Sequence, residues 1–385
     1  MTSRKLKILT LIGTRPDTIK MAPIIFELIS NNNTENILCG TGQHREMLNQ
    51  ALDIFGLVPN IDLNVMTRDQ KLETLAAKLI VEISKTVQEL NPDLVLVHGD
   101  TLTAFCGALA SYYCKVPVVH IEAGLRTHNI LEPFPEEFNR QAIARIADLN
   151  FAPTSVSLGN LMAEGISENK IIVSGNTVVD SLNIMSNRIN SEPEVQRKIF
   201  ESFKKYWTFN YRESKFVLVT LHRRENFGYG VTAVCAAIKL LANRFSDIKF
   251  VFPVHLNPKV SEGVLAVLGN IENIFLTPPL PYDEFVALLS SSMFVITDSG
   301  GIQEEAVSLG KKVLVTRNVT ERKEGFESGL LKIVACDPEK IAEVATEIIR
   351  HPTIDNVPVN NPFGNVGTSK LIVEQIVINY LNKHN

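Results

Sequence analysis

The 385-residue sequence predicts an α/β protein with two doubly wound units and a ligand-binding cleft between them. Short apolar segments, typical of buried parallel strands, alternate with segments of helical periodicity. Small or polar residues follow most of the apolar segments directly, as expected at the carboxyl ends of parallel strands, where ligands of such sheets bind. The alternation occurs twice along a chain that is too long for a single hydrophobic core, which indicates two domains.

The first domain is predicted at residues 1–178. Its strand-like segments are apolar, and the segments between them repeat apolar residues every three or four positions. Pro16 suits the first turn of the first helix, and the positive end of that helix favours the acidic Asp17. We predict strands at residues 7–12, 37–39, 94–97, 116–121, 150–151 and 170–173, and helices at 17–28, 47–55, 72–90, 103–113 and 136–146.

The second domain is predicted at residues 179–367, and a last helix at 368–385 is expected to pack back on the first domain. Residues 178–215 are helical, charged and interrupted by Pro193, which is typical of a domain junction with peripheral helices. The alternating pattern then restarts. We predict strands at residues 216–220, 248–254, 274–277, 293–297, 312–316 and 331–334, and a helix that begins near Tyr282.

Residues 293–310 combine a buried strand, a tight turn and a helix start. Asp298 ends the apolar run, and Ser299, Gly300 and Gly301 precede the helical pattern. The N–H groups and the positive dipole at a helix start attract anions, and glycines let a phosphate come close to the backbone. An anion-binding turn and an ordinary strand-to-helix turn both fit these residues.

Charged residues also follow the strands of the first domain. Arg15 lies at a helix start, where a cation is locally unfavourable, and this favours a phosphate contact over a solvent-facing arginine. Asp100 and Glu122 each follow a strongly apolar strand, as expected for proton-transferring carboxylates on the floor of a cleft. A helix cap is the alternative for Asp100, and stabilisation of a helix start after Pro135 is the alternative for Glu136 and the adjacent Glu137.

The segment LHRREN, residues 221–226, places a histidine and two arginines after a predicted strand. His222 could protonate or neutralise a leaving oxygen, and a solvated charged loop is the alternative. His255 and His44 are weaker candidates, because a single histidine at the end of a strand is more often structural.

Composition and motifs exclude several classes of protein. The net charge of −4 favours neither a nucleic-acid nor a membrane partner, no apolar run could cross a bilayer, and the N-terminus lacks the features of a signal peptide, so we expect a cytoplasmic protein. The five cysteines lack CxxC spacing and are expected to be free thiols. The sequence has no His or Cys cluster typical of a metal site, no G-x-G-x-x-G typical of a nicotinamide site and no G-x-S-x-G nucleophile elbow.

A series of motifs between Gly13 and about Gly329 resembles the non-hydrolysing UDP-N-acetylglucosamine 2-epimerase family. The resemblance implies a GT-B glycosyltransferase-like fold of two Rossmann-like domains and interconversion of UDP-N-acetylglucosamine with UDP-N-acetylmannosamine. It implies that UDP is eliminated to leave 2-acetamidoglucal and is added back with C2 inverted, without metal or other cofactor. The implied partners are the UDP-sugar and UDP, and the implied assembly is a homodimer. The motifs are GTRPDTIKMAP, TGQHREML, LVHGDT, HIEAGLRT, PFPEEFNRQ, FAPT, GNTVVDSL, VTLHRREN, PVHLNP, TDSGGIQEEA and TERKEGFESG.

The resemblance also implies residue roles. The residues that match catalytic groups are Asp100, Glu122, Glu136 and His222. The residues that match UDP contacts are Arg15, Phe285, Ser299, Gly300, Gly301, Glu305 and Arg322. Further candidates for contacts with substrate, or with a second and activating substrate molecule, are Lys20, Gln43, His44, Arg140, Arg223 and His255. Arg68 and Asp69 are an additional match to the activating site.

Three departures from the family pattern keep other functions open. Asp17 stands where the family usually has Glu, Leu102 interrupts HGDTTT, and residues 131–132 replace the usual Tyr-Ser beside the sugar. A 2-epimerase of a related UDP-sugar, such as a diacetamido uronate or a deoxy sugar, is therefore the main alternative. A hydrolysing epimerase that releases N-acetylmannosamine and UDP, a GT-B glycosyltransferase and a nucleotide-sugar sensor without turnover are further alternatives. The retained carboxylates argue against the sensor.

Overall fold

The computed structural model describes residues 4–43, 45–67, 70–223, 226, 228–320, 322–352 and 361–381, without the side chains of Arg45, Lys259 and Lys323. The chain divides into two compact units. Unit 1 consists of Met1–Ser181 and Gly364–Asn385, and unit 2 of Leu182–Phe363. The chain therefore leaves unit 1 once and returns to it for its last helix.

Unit 1 is built on a sheet of seven strands. The strands are short and mostly apolar, as expected where helices cover both faces of a parallel sheet. Their bounds are β1 (Leu6–Ile12), β2 (Thr34–Gly40), β3 (Ile61–Asp62), β4 (Leu94–His98), β5 (Val118–Ile121), β6 (Leu149–Ala152) and β7 (Ile171–Val173). Their order across the sheet is β3-β2-β1-β4-β5-β6-β7, and every pairing is parallel.

Helices connect the strands of unit 1. Three of them begin after a threonine, Thr14, Thr101 or Thr154, whose hydroxyl accepts a hydrogen bond from the backbone N–H three residues later. Such caps satisfy N–H groups that have no partner within the helix. The helices are α1 (Arg15–Ser30), α2 (Arg45–Phe55), α3 (Leu72–Leu90), α4 (Leu102–Tyr113), α5 (Glu136–Ile146), α6 (Ser155–Ala163) and α7 (Val178–Ser191), the last of which continues into unit 2.

Unit 2 is built on a sheet of six parallel strands. The strands are β8 (Phe216–Thr220), β9 (Lys249–Pro253), β10 (Ile274–Thr277), β11 (Phe294–Thr297), β12 (Lys312–Val315) and β13 (Leu331–Ile333). The helices are α8 (Pro193–Phe203), α9 (Tyr229–Arg244), α10 (Pro258–Leu268), α11 (Tyr282–Ser291), α12 (Gly300–Ser308) and α13 (Pro338–Arg350). The strand order is β10-β9-β8-β11-β12-β13.

The last helix, α14 (Thr368–Tyr380), belongs to unit 1 and packs against α1. The buried Asp180 fixes its start, because the carboxylate accepts hydrogen bonds from Gly367 N at 2.7 Å and Ser369 N at 2.6 Å. An acid at a helix N-terminus is stabilised by the dipole and pairs N–H groups that would otherwise lack partners.

Both sheets have the strand order of a doubly wound fold, which confirms the architecture predicted from the sequence. In each sheet the strand order reverses beside the first strand of the unit, between β1 and β4 in unit 1 and between β8 and β11 in unit 2. Ligands of this fold bind outside the carboxyl ends of the strands at such a switch point. We therefore expect functional residues at the two switch points.

Two helical glycines of unit 1 give a matched prediction about stability. Gly159 in α6 is exposed and a Cβ there would meet no atom within 4 Å, so Gly159→Ala should raise the free energy of unfolding by about 0.5–1 kcal/mol through helix propensity. Gly107 in α4 is buried, and a Cβ there would lie 2.4 Å from Leu11 Cδ1 and 3.3 Å from Val97 Cγ1. Gly107→Ala should therefore lower stability by about 1–3 kcal/mol through overpacking. Urea unfolding of both variants checks the pair, and a stabilised Gly107→Ala would contradict it.

Candidate active site

The switch point of unit 1 begins with the turn between β1 and α1. Thr14 caps α1, and the carboxylate of Asp17 accepts hydrogen bonds from Gly13 N and Thr14 N, both at 3.2 Å. Asp17 therefore closes the capping box in the position where the family usually has the longer Glu. This arrangement places the half-buried Arg15 in the first turn of the helix, where its charge adds to the positive end of the dipole.

Asp100 follows β4 at the same switch point. Its Oδ2 is paired with Arg140 Nη2, and its backbone oxygen accepts a hydrogen bond from Asn139 Nδ2 at 2.9 Å. Both partners come from α5, which therefore fixes Asp100 on two sides. Thr101 caps α4, so Asp100 is not the helix cap. About a quarter of its side chain, 27%, is exposed, so this carboxylate is both held by a cation and open to a ligand.

Glu122 follows β5 and is held still more tightly. Its Oε2 is paired with Lys20 Nζ from α1 and accepts a hydrogen bond from Asn176 Nδ2 at 2.8 Å. Its backbone has φ +59°, a left-handed conformation that is unfavourable for a side chain without a compensating environment. Such conformations persist where surrounding contacts fix them and are common at functional sites. Glu122 and Lys20 thus form a second, largely buried acid–cation pair.

Two buried histidines lie beside these acids. His98, the last residue of β4, has its Nδ1 3.9 Å from Asp17 Oδ1 and its Nε2 3.9 Å from Glu122 Oε2. His120 in β5 donates from Nε2 to Gly99 O at 2.7 Å and so supports the turn before Asp100. Burial lowers the pKa of both rings to about 4, so both are neutral at physiological pH.

The two adjacent acids at the start of α5 differ in their surroundings. Glu137 is fully buried and accepts hydrogen bonds from Thr127 N at 3.1 Å, His128 N at 3.3 Å and Gln141 Nε2 at 3.0 Å. It therefore holds the loop between β5 and α5 in place. Glu136 is the first residue of the helix and is only half-buried, so this residue is the more exposed of the two, although its Oε2 is buried.

The switch point of unit 2 is organised by Asp298, which is fully buried after β11. Its carboxylate accepts hydrogen bonds from His222 N at 3.0 Å, Arg223 N at 3.0 Å, Asn226 Nδ2 at 2.9 Å and His222 Nδ1 at 2.9 Å. Burial alone would raise the pKa of Asp298, but these donors hold it below its usual value. Asp298 therefore orients the His222 ring, which is 42% exposed.

The turn that follows Asp298 has the features of an anion site. Ser299 caps α12, and the guanidinium of the buried Arg322 lies against the start of that helix, because a Cβ on Gly300 would be 2.9 Å from Arg322 Cζ. Arg322 Nε donates to the buried Glu304 at 2.9 Å. A cation held at the positive end of a helix favours binding of an anion there. A Cβ on Gly301 would meet nothing within 4 Å.

The remaining candidate residues differ in burial and in their contacts. Glu305 is buried in α12, and Phe285 is half-buried in α11. His255 is largely exposed. Partial burial of its ring and the neighbouring His222 lower its pKa. Gln43 accepts hydrogen bonds from Thr103 N at 3.2 Å and Thr103 Oγ1 at 2.9 Å. His44, Arg68 and Asp69 lie outside the described residues.

Each switch point therefore gathers its own set of predicted residues. Unit 1 brings together Arg15, Lys20, Asp100, Glu122 and Arg140, and unit 2 brings together His222, Ser299, Gly300 and Arg322. Sequence reasoning gave no role to Asp17, His98, Asn176 or Asp298 as partners of these residues. Their position in or beside the quoted motifs was a signal, but their contacts depend on residues distant in sequence.

The described residues contain no group of three His, Cys, Asp or Glu side chains arranged to hold a metal ion. Within the same residues, none of the helices combines the length and apolar character that a membrane crossing requires.

Two buried groups of unit 1 should make stability depend on pH in opposite directions. Because burial lowers the pKa of His120 from 6.5 to about 4, only the unfolded chain binds its proton between these values, and stability rises with pH in that window. His120→Gln should reduce this slope by up to about 1.4 kcal/mol per pH unit. Burial raises the pKa of Asp17 from 3.8 to about 7, so the folded protein binds more protons in this window and stability falls as pH rises. Asp17→Asn removes this opposing effect and should therefore make stability rise more steeply with pH.

Urea unfolding at pH values from 4 to 8 measures both slopes. Equal slopes for His120→Gln and the unmodified protein would show that His120 is not buried in its neutral form. A flatter slope for Asp17→Asn would contradict the raised pKa of Asp17.

Two doubly wound units, one with acid–cation pairs and one with an anion-type turn at its switch point, belong to the class of α/β proteins with a GT-B-like fold. Residues 27–377 match the sequence profile of the family described as UDP-N-acetylglucosamine 2-epimerase. The chain belongs to this family of isomerases.

Relatives and solved structures agree with this assignment. The chain is 46% identical to a UDP-N-acetylglucosamine 2-epimerase of Campylobacter jejuni over 89% of each sequence. It is similar to the crystal structure of a Neisseria meningitidis UDP-GlcNAc 2-epimerase bound to UDP-GlcNAc, with a TM-score of 0.90, 41% identity and coverage of 97% and 100% of the two chains. It is also similar to S. aureus MnaA in a co-structure with UDP, with a TM-score of 0.86, 40% identity and coverage of 98% and 97%.

Proposed function

We propose that this protein interconverts UDP-N-acetylglucosamine and UDP-N-acetylmannosamine without net hydrolysis. Two acid–cation pairs at one switch point, Asp100 with Arg140 and Glu122 with Lys20, support this reaction most directly. Removal of a weakly acidic C2 proton requires carboxylates whose surroundings differ, and these two differ in exposure and partners. Relatives named for this reaction share two-fifths or more of the sequence, which supports the same substrate.

We assign two arginines and a helix-start turn to the diphosphate, and two further residues to the uridine. Arg15 of unit 1 is the first residue of α1, and Arg322 of unit 2 holds its guanidinium against the start of α12. A departing diphosphate is stabilised by charge-assisted hydrogen bonds and by helix dipoles. Ser299, Gly300 and Gly301 form the proposed phosphate turn, Glu305 is assigned to the ribose, and Phe285 is assigned to the uracil.

The proposed reaction has two reversible halves. A carboxylate takes the C2 proton while the bond between C1 and the diphosphate oxygen breaks, which yields 2-acetamidoglucal and UDP. A proton is then delivered to the opposite face of C2, and the diphosphate oxygen bonds to C1 again. We assign the proton transfers to Asp100, Glu122 and Glu136. His222, oriented by Asp298, is assigned to the departing diphosphate, where a histidine can neutralise negative charge.

Incubation of the protein with UDP-N-acetylglucosamine in deuterated water tests this proposal. Proton NMR should show loss of the C2 proton signal together with appearance of the manno epimer, because the proton delivered to C2 comes from an acid that exchanges with solvent. Absence of deuterium at C2 and of the epimer would overturn it. Stoichiometric free UDP with free N-acetylmannosamine would identify a hydrolysing enzyme instead.

A 2-epimerase of a related UDP-sugar is the second candidate. The β5–α5 loop favours it, because residues 131–132, assigned by resemblance to the wall beside the sugar, depart from the family pattern and Leu131 is 67% exposed there. The same NMR experiment with UDP-linked diacetamido uronates and deoxy sugars separates the candidates. Faster exchange at C2 of one of these sugars than of UDP-N-acetylglucosamine would favour the second candidate.

We infer a cytoplasmic homodimer as the working form. The cysteines are free thiols, which suits a reducing compartment. The packed helices α3 and α4 leave Val81, Tyr112 and Tyr113 half or more exposed, and such a surface suits a second copy of the chain. Light scattering on a size-exclusion column measures the mass, and a monomeric mass at micromolar concentration would contradict the dimer.

A further inference from the structure

Asp17 joins the two loops that meet at the switch point of unit 1. Its Oδ2 accepts hydrogen bonds from Gly13 N and Thr14 N in the β1–α1 turn and from Thr101 Oγ1 in the β4–α4 turn, at 3.2, 3.2 and 3.3 Å. The side chain is 3% exposed. Three donors on one oxygen fix the carboxyl group, so its other oxygen, Oδ1, points in a defined direction.

That direction is the ring of His98. The ring is buried and lies between two carboxyl groups, with Nδ1 3.9 Å from Asp17 Oδ1 and Nε2 3.9 Å from Glu122 Oε2. These distances exceed a hydrogen bond by less than 1 Å, and catalytic hydrogen bonds are often long in a ligand-free enzyme and shorten with substrate. The three groups therefore form a line, Asp17–His98–Glu122, that begins under the Arg15 turn and ends at a carboxylate assigned to the chemistry.

We propose that Asp17 and His98 are positioning residues that form a proton relay to Glu122. This relay rests on the proposed function, because Glu122 must change its protonation state during epimerisation. When Glu122 gains a proton, it passes that proton to His98 Nε2, and His98 passes the proton on Nδ1 to Asp17 Oδ1. His98 is neutral before and after, with its proton moved from one nitrogen to the other. The reverse transfers return Glu122 to its protonated state.

The surrounding charges suit this relay. Burial and, to a smaller extent, the negative Asp100 together raise the pKa of Asp17 to about 7, although hydrogen bonds from Gly13 and Thr14 act to lower it. Asp17 can therefore both hold and release a proton near neutral pH. His98 stays neutral because burial lowers its pKa to about 4, although Glu122 and Asp100 act to raise it and Lys20 acts to lower it. A neutral imidazole can accept a proton on one nitrogen while it donates from the other.

Asp17→Asn tests the relay, because asparagine keeps an acceptor oxygen for Gly13 N and Thr14 N but cannot take up a proton. We expect kcat for epimerisation to fall about tenfold with KM nearly unchanged, since the general acid–base contribution is reduced but substrate contacts are kept. The pH profile of kcat should lose an ionisation near neutral pH. Asp17→Glu, which restores a titrating group and the residue usual in the family, should recover both. If Asp17→Asn folds poorly, His98→Gln provides the same test, because it should lower kcat in the same way.

Asp180→Asn is the matched control, because Asp180 is another buried aspartate of unit 1 but caps α14 instead. It should lower stability and leave the pH profile of kcat unchanged. Wild-type kcat and a wild-type pH profile in both Asp17→Asn and His98→Gln would overturn the relay. A fall in kcat without any change in the pH profile of Asp17→Asn would reduce Asp17 to a purely structural role and also overturn it. If the unmodified protein shows no C2 exchange, the proposed function fails first, so the two failures are distinguishable.

Discussion

Replacement of Asp100 by asparagine is expected to lower the rate of epimerisation by about 10²–10⁴-fold, the usual contribution of a positioned acid or base. The substitution keeps the size of the side chain and removes only its ability to carry a proton and a negative charge. Arg140 keeps Glu137 Oε2 at 3.3 Å, so the buried guanidinium retains a carboxylate partner and the fold should persist. The measurement is C2 exchange by proton NMR together with UDP binding by calorimetry.

UDP affinity of Asp100→Asn should stay within about threefold, on the order of the loss of one weak contact, because Asp100 is assigned to the sugar and UDP carries no sugar at that position. Asp53→Asn is the control, since Asp53 is an exposed aspartate on α2 of the same unit. An unaltered rate of C2 exchange in Asp100→Asn would remove Asp100 from the catalytic groups. A parallel loss of UDP affinity would instead assign it to nucleotide binding.

Gly300→Ala is expected to weaken UDP binding by about 10–100-fold, the scale of one or two charge-assisted hydrogen bonds. The added Cβ would lie 2.9 Å from Arg322 Cζ and 3.0 Å from its Nη1, so the guanidinium must move away from the start of α12. Stability should also fall, because the displaced guanidinium moves away from the buried Glu304, although alanine is a better helix former than glycine. Calorimetry with UDP measures the affinity.

A double-mutant cycle with Arg322→Ala shows whether Arg322 mediates the effect. Once Arg322 is shortened, Gly300→Ala should have little further effect on UDP affinity. Gly263→Ala in α10 is the control, because a Cβ there would lie 3.7 Å from Val231 Cγ1, an ordinary contact. Equal losses from Gly300→Ala in both backgrounds would mean that the alanine methyl obstructs UDP directly.

Much of the fold was predictable because local patterns determine it. The strands at residues 216–220 and 274–277 and the helices at 72–90 and 136–146 have the predicted bounds, since the strands are short apolar runs and the helices repeat apolar residues every three or four positions. Others were not specified individually, among them β3 and the helices α6, α9, α10 and α13. A two-residue strand carries no periodicity, and α9 begins after Gly228 without a capping side chain, which gives a weak start signal.

The candidate sites were predictable only in part. The position of Ser299, Gly300 and Gly301 at a helix start follows from a local pattern, and so does the position of Asp100 and Glu122 after strands. The cations that hold those acids did not follow from it, because Arg140 and Lys20 are 40 and 102 residues away in the sequence. The structural role of Glu137 also became clear only in the folded chain, where its buried carboxylate accepts hydrogen bonds from the backbone of residues 127 and 128.

The sequence by itself determined that this chain forms two doubly wound units whose polar residues follow the strands, and its motifs determined the family. The alternation of apolar strand segments with helical segments is a local property, because it depends on residues that are close together in the sequence. Only the tertiary structure decided which acid meets which cation, that Asp298 orients His222, and that His98 lies between Asp17 and Glu122. Burial and charge pairing depend on residues brought together from distant parts of the chain, and these set the pKa values on which proton transfer depends.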